Sequence, residues 1–100
     1  MVTTHPLERE LRAPPSLGLD TRATFRQAGL ALLEELPEGS SRLVIDLQRT
    51  RHVDSAGLGA LMLVQRRAAE RRQRVALRHV SEELRFLLVL TKLDDLFDFE

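Results

Sequence analysis

Apolar residues alternate along this chain between helical spacing and short continuous runs, and this alternation predicts its secondary structure. Spacing of three and four residues in three segments predicts three helices. Their inward residues would be Phe25, Ala28, Gly29, Leu32, Leu33 and Leu36, then Leu58, Leu61, Met62, Gln65, Ala68 and Ala69, and finally Leu84, Leu87, Leu88 and Thr91. Asp20 or Thr21 is positioned to cap the first helix, and Ser81 to cap the third.

Two continuous apolar runs lie between the helical segments, at residues 43–47 and 75–77. Runs without polar alternation are typical of parallel strands that are buried on both faces. Asp46 interrupts the first run, and it needs a hydrogen-bond partner or a place near an edge. Residues 48–53 are expected to form a loop.

Residues 1–17 are the most weakly determined part of the chain. Residues 7–11 favour a strand, but Pro14 and Pro15 interrupt it, so any pairing there would be short and at an edge. Taken together, the elements predict one α/β domain over residues 1–100. Its small, mixed and largely parallel sheet would carry three to four helices.

The composition excludes several classes of function. Fifteen basic residues balance fifteen acidic ones, and tyrosine and tryptophan are absent, so no surface for nucleic acid is expected. The chain has no cysteine, and His5, His52 and His79 lack ligand spacing, so no metal site is expected. No cofactor motif is present. No segment approaches the ~20 apolar residues of a membrane span, which predicts a cytoplasmic protein without membrane insertion.

Charge is nevertheless unevenly distributed. Six arginines stand between positions 66 and 78 against Glu70 alone, while residues 82–100 are rich in Asp and Glu. Cations are stabilised in the last turn of a helix, which gives a structural interpretation of the arginine cluster. A surface for docking a partner is the alternative.

The most informative segment is residues 53–59, which read V-D-S-A-G-L-G. Ser55 stands where the apolar run gives way to the second helix, beyond the carboxyl end of a predicted strand. In open α/β sheets, functional groups collect at that end. Gly57 and Gly59 follow at once, although glycine is unfavourable in a helix, and they indicate that something approaches the backbone closely.

Four interpretations of Ser55 compete. It could be only a helix cap, as could its neighbour Asp54. A nucleophile elbow would need glycine where Val53 stands, so a hydrolase is disfavoured and no catalytic residue is assigned. A nucleotide-binding loop would need a G-x-x-x-x-G-K-[ST] spacing that is missing here. The fourth interpretation is phosphorylation, which would place a dianion where a partner presses against the glycines.

Four segments of the chain resemble the signature of STAS domains, in particular that of bacterial anti-sigma factor antagonists. They are Leu19 with Asp20, L-V-I-D-L at 43–47, D-S-A-G-L-G at 54–59 and L-V-L-T-K-L-D-D-L-F at 88–97. The resemblance covers residues 18–98. It implies a small α/β domain that is not an enzyme.

The same resemblance implies a switch between partners. A serine kinase with a histidine-kinase-like ATPase fold, which doubles as an anti-sigma factor, would bind the unphosphorylated chain and phosphorylate Ser55. A serine phosphatase would reverse the modification, and sigma-factor-dependent transcription would follow the cycle. The implied partner-binding residues are Asp20, Asp54, Ala56, Gly57, Leu58 and Gly59.

Three points qualify this resemblance. The opening β-hairpin of the family is abbreviated here, because this part of the chain carries Pro14 and Pro15. Lys92 stands where the family has glycine, and a left-handed backbone there would cost lysine about 1–2 kcal/mol. STAS domains also occur in other machines: as tails of transporters, as parts of stress-sensing complexes, and as soluble adaptor subunits of bacterial lipid-transport ATPases. The missing membrane span disfavours the transporter tail. The adaptor remains the alternative function.

Overall fold

The computed structural model describes residues 7–100. Within that range, strands and helices follow one another as β1 (Glu8–Arg12), β2 (Ser16–Leu17), α1 (Arg22–Glu35), β3 (Arg42–Asp46), β4 (His52–Val53), α2 (Ser55–Glu70), β5 (Arg74–Arg78), α3 (Glu82–Leu90) and β6 (Asp98–Phe99). A 3₁₀ turn at Asp94–Leu96 joins α3 to β6. The predicted α/β class and its three helices are confirmed.

Four strands form one sheet in the order β1–β3–β5–β6, and each of these pairings is parallel. β1 lies at the edge, as expected for a short strand that is followed by Pro14 and Pro15. The largely parallel sheet is therefore confirmed. The abbreviated N-terminal hairpin was expected in residues 1–17. Within residues 7–17, β1 pairs with β3 and β2 pairs with β4, and residues 1–6 lie outside the described residues.

All three helices pack on one face of this sheet. Alternate residues of β3 and β5 meet residues of every helix in a single buried cluster. Its fully buried members include Leu33, Leu43, Ile45, Leu61, Leu77 and Leu88. The helices therefore leave the other face of the sheet open.

Ion pairs cross that open face and take the place of a second helical layer. Arg42 binds Glu8 at 2.8 Å and Glu100 at 2.6 Å, and Arg78 binds the same Glu100 at 2.7 Å. Val44 and Ala76, which share this face, are fully buried. Arginine stems cover apolar surface while their charged ends stay in water, which explains how a parallel sheet keeps one face free of helices.

Intrachain pairing also accounts for most of the arginine cluster. Arg67 pairs with Glu34 and Glu70, and Arg71 pairs with Glu38. Further along the chain, Arg74 pairs with Asp98 and Arg78 with Glu10. The uneven charge of the sequence is largely neutralised across strands and helices, which supports its structural interpretation.

The segment predicted as a loop at residues 48–53 contains a strand, so that prediction is wrong in part. β4 pairs in parallel with β2, with Ser16 opposite His52 and Leu17 opposite Val53. A pairing of two residues is too short to leave a hydrophobic period in the sequence. It nevertheless fixes the backbone that leads into α2.

The inward face of α2 also differs from the prediction. Ala60, Leu61, Val64 and Ala68 are buried, whereas Ala69 is exposed. The apolar stripe follows positions 61, 64 and 68, and position 69 lies one residue past that stripe. The sequence pattern was ambiguous because both alanines continue the apolar run.

Two helices end in left-handed residues that are not glycine. After α3, Lys92 has a φ of 60°, and the Leu93 N–H donates to the Leu88 carbonyl at 2.8 Å. After α2, Arg72 has a φ of 56°, and the Gln73 N–H donates to the Ala68 carbonyl at 2.8 Å. Both are Schellman endings, in which glycine is the favoured residue.

Lys92→Gly is therefore expected to stabilise the protein. Removing the side chain relieves the left-handed strain, and the free energy of unfolding should rise by about 1 kcal/mol. Urea unfolding measures the change. Lys92→Ala is the matched control, because alanine keeps the strain; a gain of equal size with alanine would contradict the explanation.

Candidate functional site

Asp54 joins the beginning of α2 to the loop that follows β2. Its Oδ1 accepts a hydrogen bond from the Gly57 N–H at 2.9 Å, and its Oδ2 accepts one from the Leu19 N–H at 3.3 Å. Its own N–H donates to the Leu17 carbonyl at 3.2 Å. One residue thus caps the helix and ties two loops together.

These contacts favour the ionised form of the carboxylate. The Gly57 N–H is the largest cause that lowers the pKa of Asp54 below its usual value, and the Leu19 N–H and the charge of Arg22 act in the same direction. Hydrogen bonds to the charged form of an acid favour that form. Asp54 therefore carries a fixed negative charge beside Ser55.

Ser55 is the first residue of α2, and its side chain is exposed. The helix cap is Asp54, so the interpretation of Ser55 as the cap is wrong. Among residues 7–100, no side chain or backbone group forms a hydrogen bond with the Ser55 hydroxyl. The structure leaves this hydroxyl free to react or to meet another molecule.

The two glycines of the motif have different surroundings, although one role was expected for both. Gly57 is buried, and a Cβ added there would overlap the Leu17 carbonyl group. Gly59 is exposed, and a Cβ added there would meet nothing within 4 Å. The close approach to Gly57 is thus made by the chain's own β2, while a partner contact at this buried residue stays a prediction.

The remaining residues of the predicted surface differ in their exposure. Asp20 is exposed in the loop that Asp54 holds, while Ala56 and Leu58 are partly buried. Next to Asp20, the side chain of Leu19 is 65% exposed, and the sequence analysis did not select it. In the sequence, Leu19 stands between a glycine and an aspartate and belongs to no apolar stripe. This position was the available sign that its side chain would be exposed.

Thr21 occupies the cap position of α1, as predicted, but its side chain does not cap the helix. Its hydroxyl instead accepts a hydrogen bond from the Gly18 N–H at 3.0 Å and donates one to the Ser16 carbonyl at 2.7 Å. These bonds fix the loop of Leu19 and Asp20 from within. The loop is therefore held at both of its ends, by Thr21 and by Asp54.

A cleft of about 360 Å³ adjoins the site. Its lining comes from the connection between β3 and α2 and from the first half of α3: Leu47, Thr50, Arg51, His52, Val53, Asp54, Ser81, Glu83, Leu84 and Leu87. The lining combines apolar and polar side chains. Asp54 belongs to it, so the cleft lies directly beside the residue that caps α2.

Asp46 supports the loops around this cleft. Its Oδ1 lies 3.0 Å from Nδ1 of His79 and accepts the Gln48 N–H at 2.9 Å. The bond to His79 is the largest cause that lowers the pKa of Asp46, followed by the bond to Gln48. The partner that the sequence required for this aspartate is present.

Residues 7–100 contain no group of three or more His, Asp or Glu side chains that could hold a metal ion. Within the same residues, no helix combines the length and the apolar character needed to cross a membrane.

A family model described as "Mlab, STAS domain" matches residues 4–98. The chain belongs to the STAS domain family. This confirms the family that the sequence motifs indicated. None of the curated proteins matches the chain.

Solved structures show the same STAS fold. One is a sulfate transporter family protein from Wolinella succinogenes, with a TM-score of 0.75 and 18% identity, over 99% of this chain and 80% of that one. Another is the anti-sigma factor antagonist SpoIIAA in its unphosphorylated form, with a TM-score of 0.74 and 13% identity, over 99% of this chain and 84% of that one. At these identities the likeness concerns the fold.

The two glycines of the STAS motif provide a matched pair of variants. Gly57→Ala should lower the free energy of unfolding by at least about 2 kcal/mol, because the new methyl group overlaps a backbone carbonyl. Gly59→Ala should raise it by about 1 kcal/mol, because alanine favours a helix and the site is open. Urea unfolding checks both variants. Equal effects of the two substitutions would contradict the difference in packing between Gly57 and Gly59.

The Asp54 carboxylate predicts a specific pH dependence. Because its pKa is lowered in the folded state, its contribution to stability is present above the pKa of the unfolded chain, about 3.9, and is lost as the pH falls through the folded value. The stability difference between wild type and Asp54→Ala should therefore shrink between pH 6 and pH 3. Asp20→Ala is the control, and its difference from wild type should stay small throughout.

Proposed function

We propose that this protein is an anti-sigma factor antagonist whose binding to a serine kinase is controlled by phosphorylation of Ser55. The unphosphorylated chain binds the kinase, which also acts as the anti-sigma factor, and so releases a sigma factor. Phosphorylation ends the binding, and a serine phosphatase restores it. In this proposal the chain itself is not an enzyme.

The exposed, unbonded hydroxyl of Ser55 is the observation that carries the proposal. A serine that caps a helix would have to give up its hydrogen bond on modification, whereas here Asp54 supplies the cap. A phosphoryl group on Ser55 would project from the first turn of α2, where the helix dipole favours negative charge. The fold should therefore tolerate the modification.

The effect on a partner would be electrostatic and steric. Phosphorylation adds about 1.5–2 negative charges beside the ionised Asp54, on a surface with exposed Leu19, Asp20 and Gly59. A partner that packs closely against bare helix backbone at Gly59 would have to bury this dianion. Burying an unpaired charge is costly, so a bound kinase would be released.

The second candidate is a soluble STAS adaptor of a lipid-transport ATPase, in which Ser55 is not modified. The matching family model is described by the name Mlab and not as an antagonist, which favours this candidate. An adaptor would use the same surface without a switch. The two candidates therefore differ in what a negative charge at position 55 does.

Affinity purification from lysate of the protein's own organism separates the two candidates. Tagged wild type, Ser55→Asp and Ser40→Asp serve as baits, and mass spectrometry identifies the retained proteins. Ser40 is exposed just before β3, at the opposite end of that strand from Ser55, so its variant carries the same charge away from the site.

The proposal predicts a serine kinase with wild type and with Ser40→Asp, and its loss with Ser55→Asp. In vitro, the recovered kinase with ATP should phosphorylate wild type on Ser55 and leave Ser55→Ala unmodified. Recovery of a transport ATPase by all three baits would contradict the switch and establish the adaptor.

A further inference from the structure

Exposed apolar side chains gather on one side of α3. Six large hydrophobic residues are exposed within residues 7–100, and three of them are Phe86 at 64%, Val89 at 51% and Leu90 at 62%. They stand three and four residues apart, so they share one face of the helix. We name these three residues the α3 patch. Contiguous apolar surface of this kind commonly marks an interaction site, whereas single exposed leucines need no explanation.

The α3 patch borders the cleft beside the Ser55 site. Glu83 and Leu87 of this helix line the cleft together with Asp54. Glu83 stands three residues before Phe86, so the cleft side of α3 lies directly next to the α3 patch. A partner that docks at Ser55 and spans the cleft therefore reaches the patch.

Unpaired acids stand at both ends of the α3 patch. Glu82 and Glu83 occupy the first turn of α3, and Asp94 and Asp95 occupy the 3₁₀ turn that follows the helix. Among residues 7–100, no cation of the chain forms an ion pair with any of these four carboxylates. Glu82 stands four residues before Phe86, which places this carboxylate on the same face as the patch.

The cations near the α3 patch do not neutralise these acids. The Arg85 guanidinium lies over the Phe99 ring, 4.4 Å from its centre, so it turns toward β6. Lys92 is then the one cation left beside four carboxylates. The surplus of negative charge opposes packing of the patch against a second copy of the chain or against an anionic lipid surface. It favours a partner that carries positive charge.

We propose that the α3 patch is a second docking surface for the serine kinase, which presents to it an apolar socket edged by lysine or arginine. The inference rests on the proposed function, because the partner at α3 is the kinase that binds at Ser55. Phe86 and Leu90 fill the socket, and its basic edge faces Glu82 and Asp95.

The two contacts of the kinase have different tasks. Because α3 has nine residues and spans about 13 Å, the α3 patch is small, and its area adds to that of the Ser55 surface. Phosphorylation changes the charge at Ser55 and leaves the patch as it is. The patch therefore contributes affinity, while the serine controls whether the kinase binds.

Isothermal titration calorimetry with the purified kinase, recovered by the wild-type bait, tests the apolar contact. The double variant Phe86→Ala and Leu90→Ala should raise the Kd at least about tenfold, because buried aromatic and aliphatic anchors dominate an interface. Both side chains are exposed in the free protein, so urea unfolding should give a stability close to that of wild type. Leu63→Ala is the control in the groove between α1 and α2, and its Kd should stay close to that of wild type.

Neutralising the acids tests the chemistry of the partner. Glu82→Gln with Asp95→Asn should slow the association of the kinase several-fold at low salt and less at high salt, because charges at the rim of an interface act on the association rate. Surface plasmon resonance measures this rate. Glu35→Gln with Glu38→Gln is the matched control, since it removes the same charge from exposed residues at the end of α1.

The kinetics of phosphorylation separate the patch from the serine. The kinase should phosphorylate Ser55 of the Phe86→Ala and Leu90→Ala variant with a raised KM and an unchanged kcat, because the patch contributes binding and lies outside the reacting hydroxyl. A lowered kcat with an unchanged KM would contradict a docking role.

The outcomes distinguish this inference from the proposed function. A kinase that binds wild type and the Phe86→Ala and Leu90→Ala variant with the same Kd would overturn the inference alone. The absence of any kinase would overturn the proposed function and the inference with it. Faster association after neutralisation of Glu82 and Asp95 would overturn the basic edge. In sedimentation velocity the free protein should be a monomer, and a dimer that the double variant abolishes would assign the patch to a second copy instead.

Discussion

The hydrogen bonds of one carboxylate hold the candidate site together. Asp54 caps α2 through the Gly57 N–H and holds the preceding loop through the Leu19 N–H. Because Asp54 supplies the cap, Ser55 can stand exposed at the first position of the helix without a structural task. Glycine is needed at position 57 because any side chain there would push β2 away from the helix. The free hydroxyl is a consequence of this arrangement.

The rest of the fold gives this junction a rigid base. Three helices cover one face of a parallel sheet, and on the other face Arg42 and Arg78 share Glu100 across the strands. All three helices can then pack into one core. At the carboxyl end of β4, Val53 leads through Asp54 directly into Ser55 at the start of α2.

Periodicity was sufficient to predict the class of fold, because helices of nine residues or more and strands of five leave a clear apolar pattern. The same pattern could not reveal β4, whose two residues are defined only by pairing with β2. The D-S-A-G-L-G motif directed attention to Ser55 and Asp54, which the structure places together at the start of α2. It could not separate Gly57 from Gly59, because the difference depends on where the distant Leu17 carbonyl lies.

The phosphorylation state of Ser55 in its own cells tests the central claim most directly. Tandem mass spectrometry would be applied to the native protein, separated into a partner-bound and a free fraction. The account predicts phosphate on Ser55 in the free fraction and an unmodified serine in the fraction bound to the kinase. An unmodified Ser55 in every fraction, or phosphate on Ser55 in the bound complex, would contradict it.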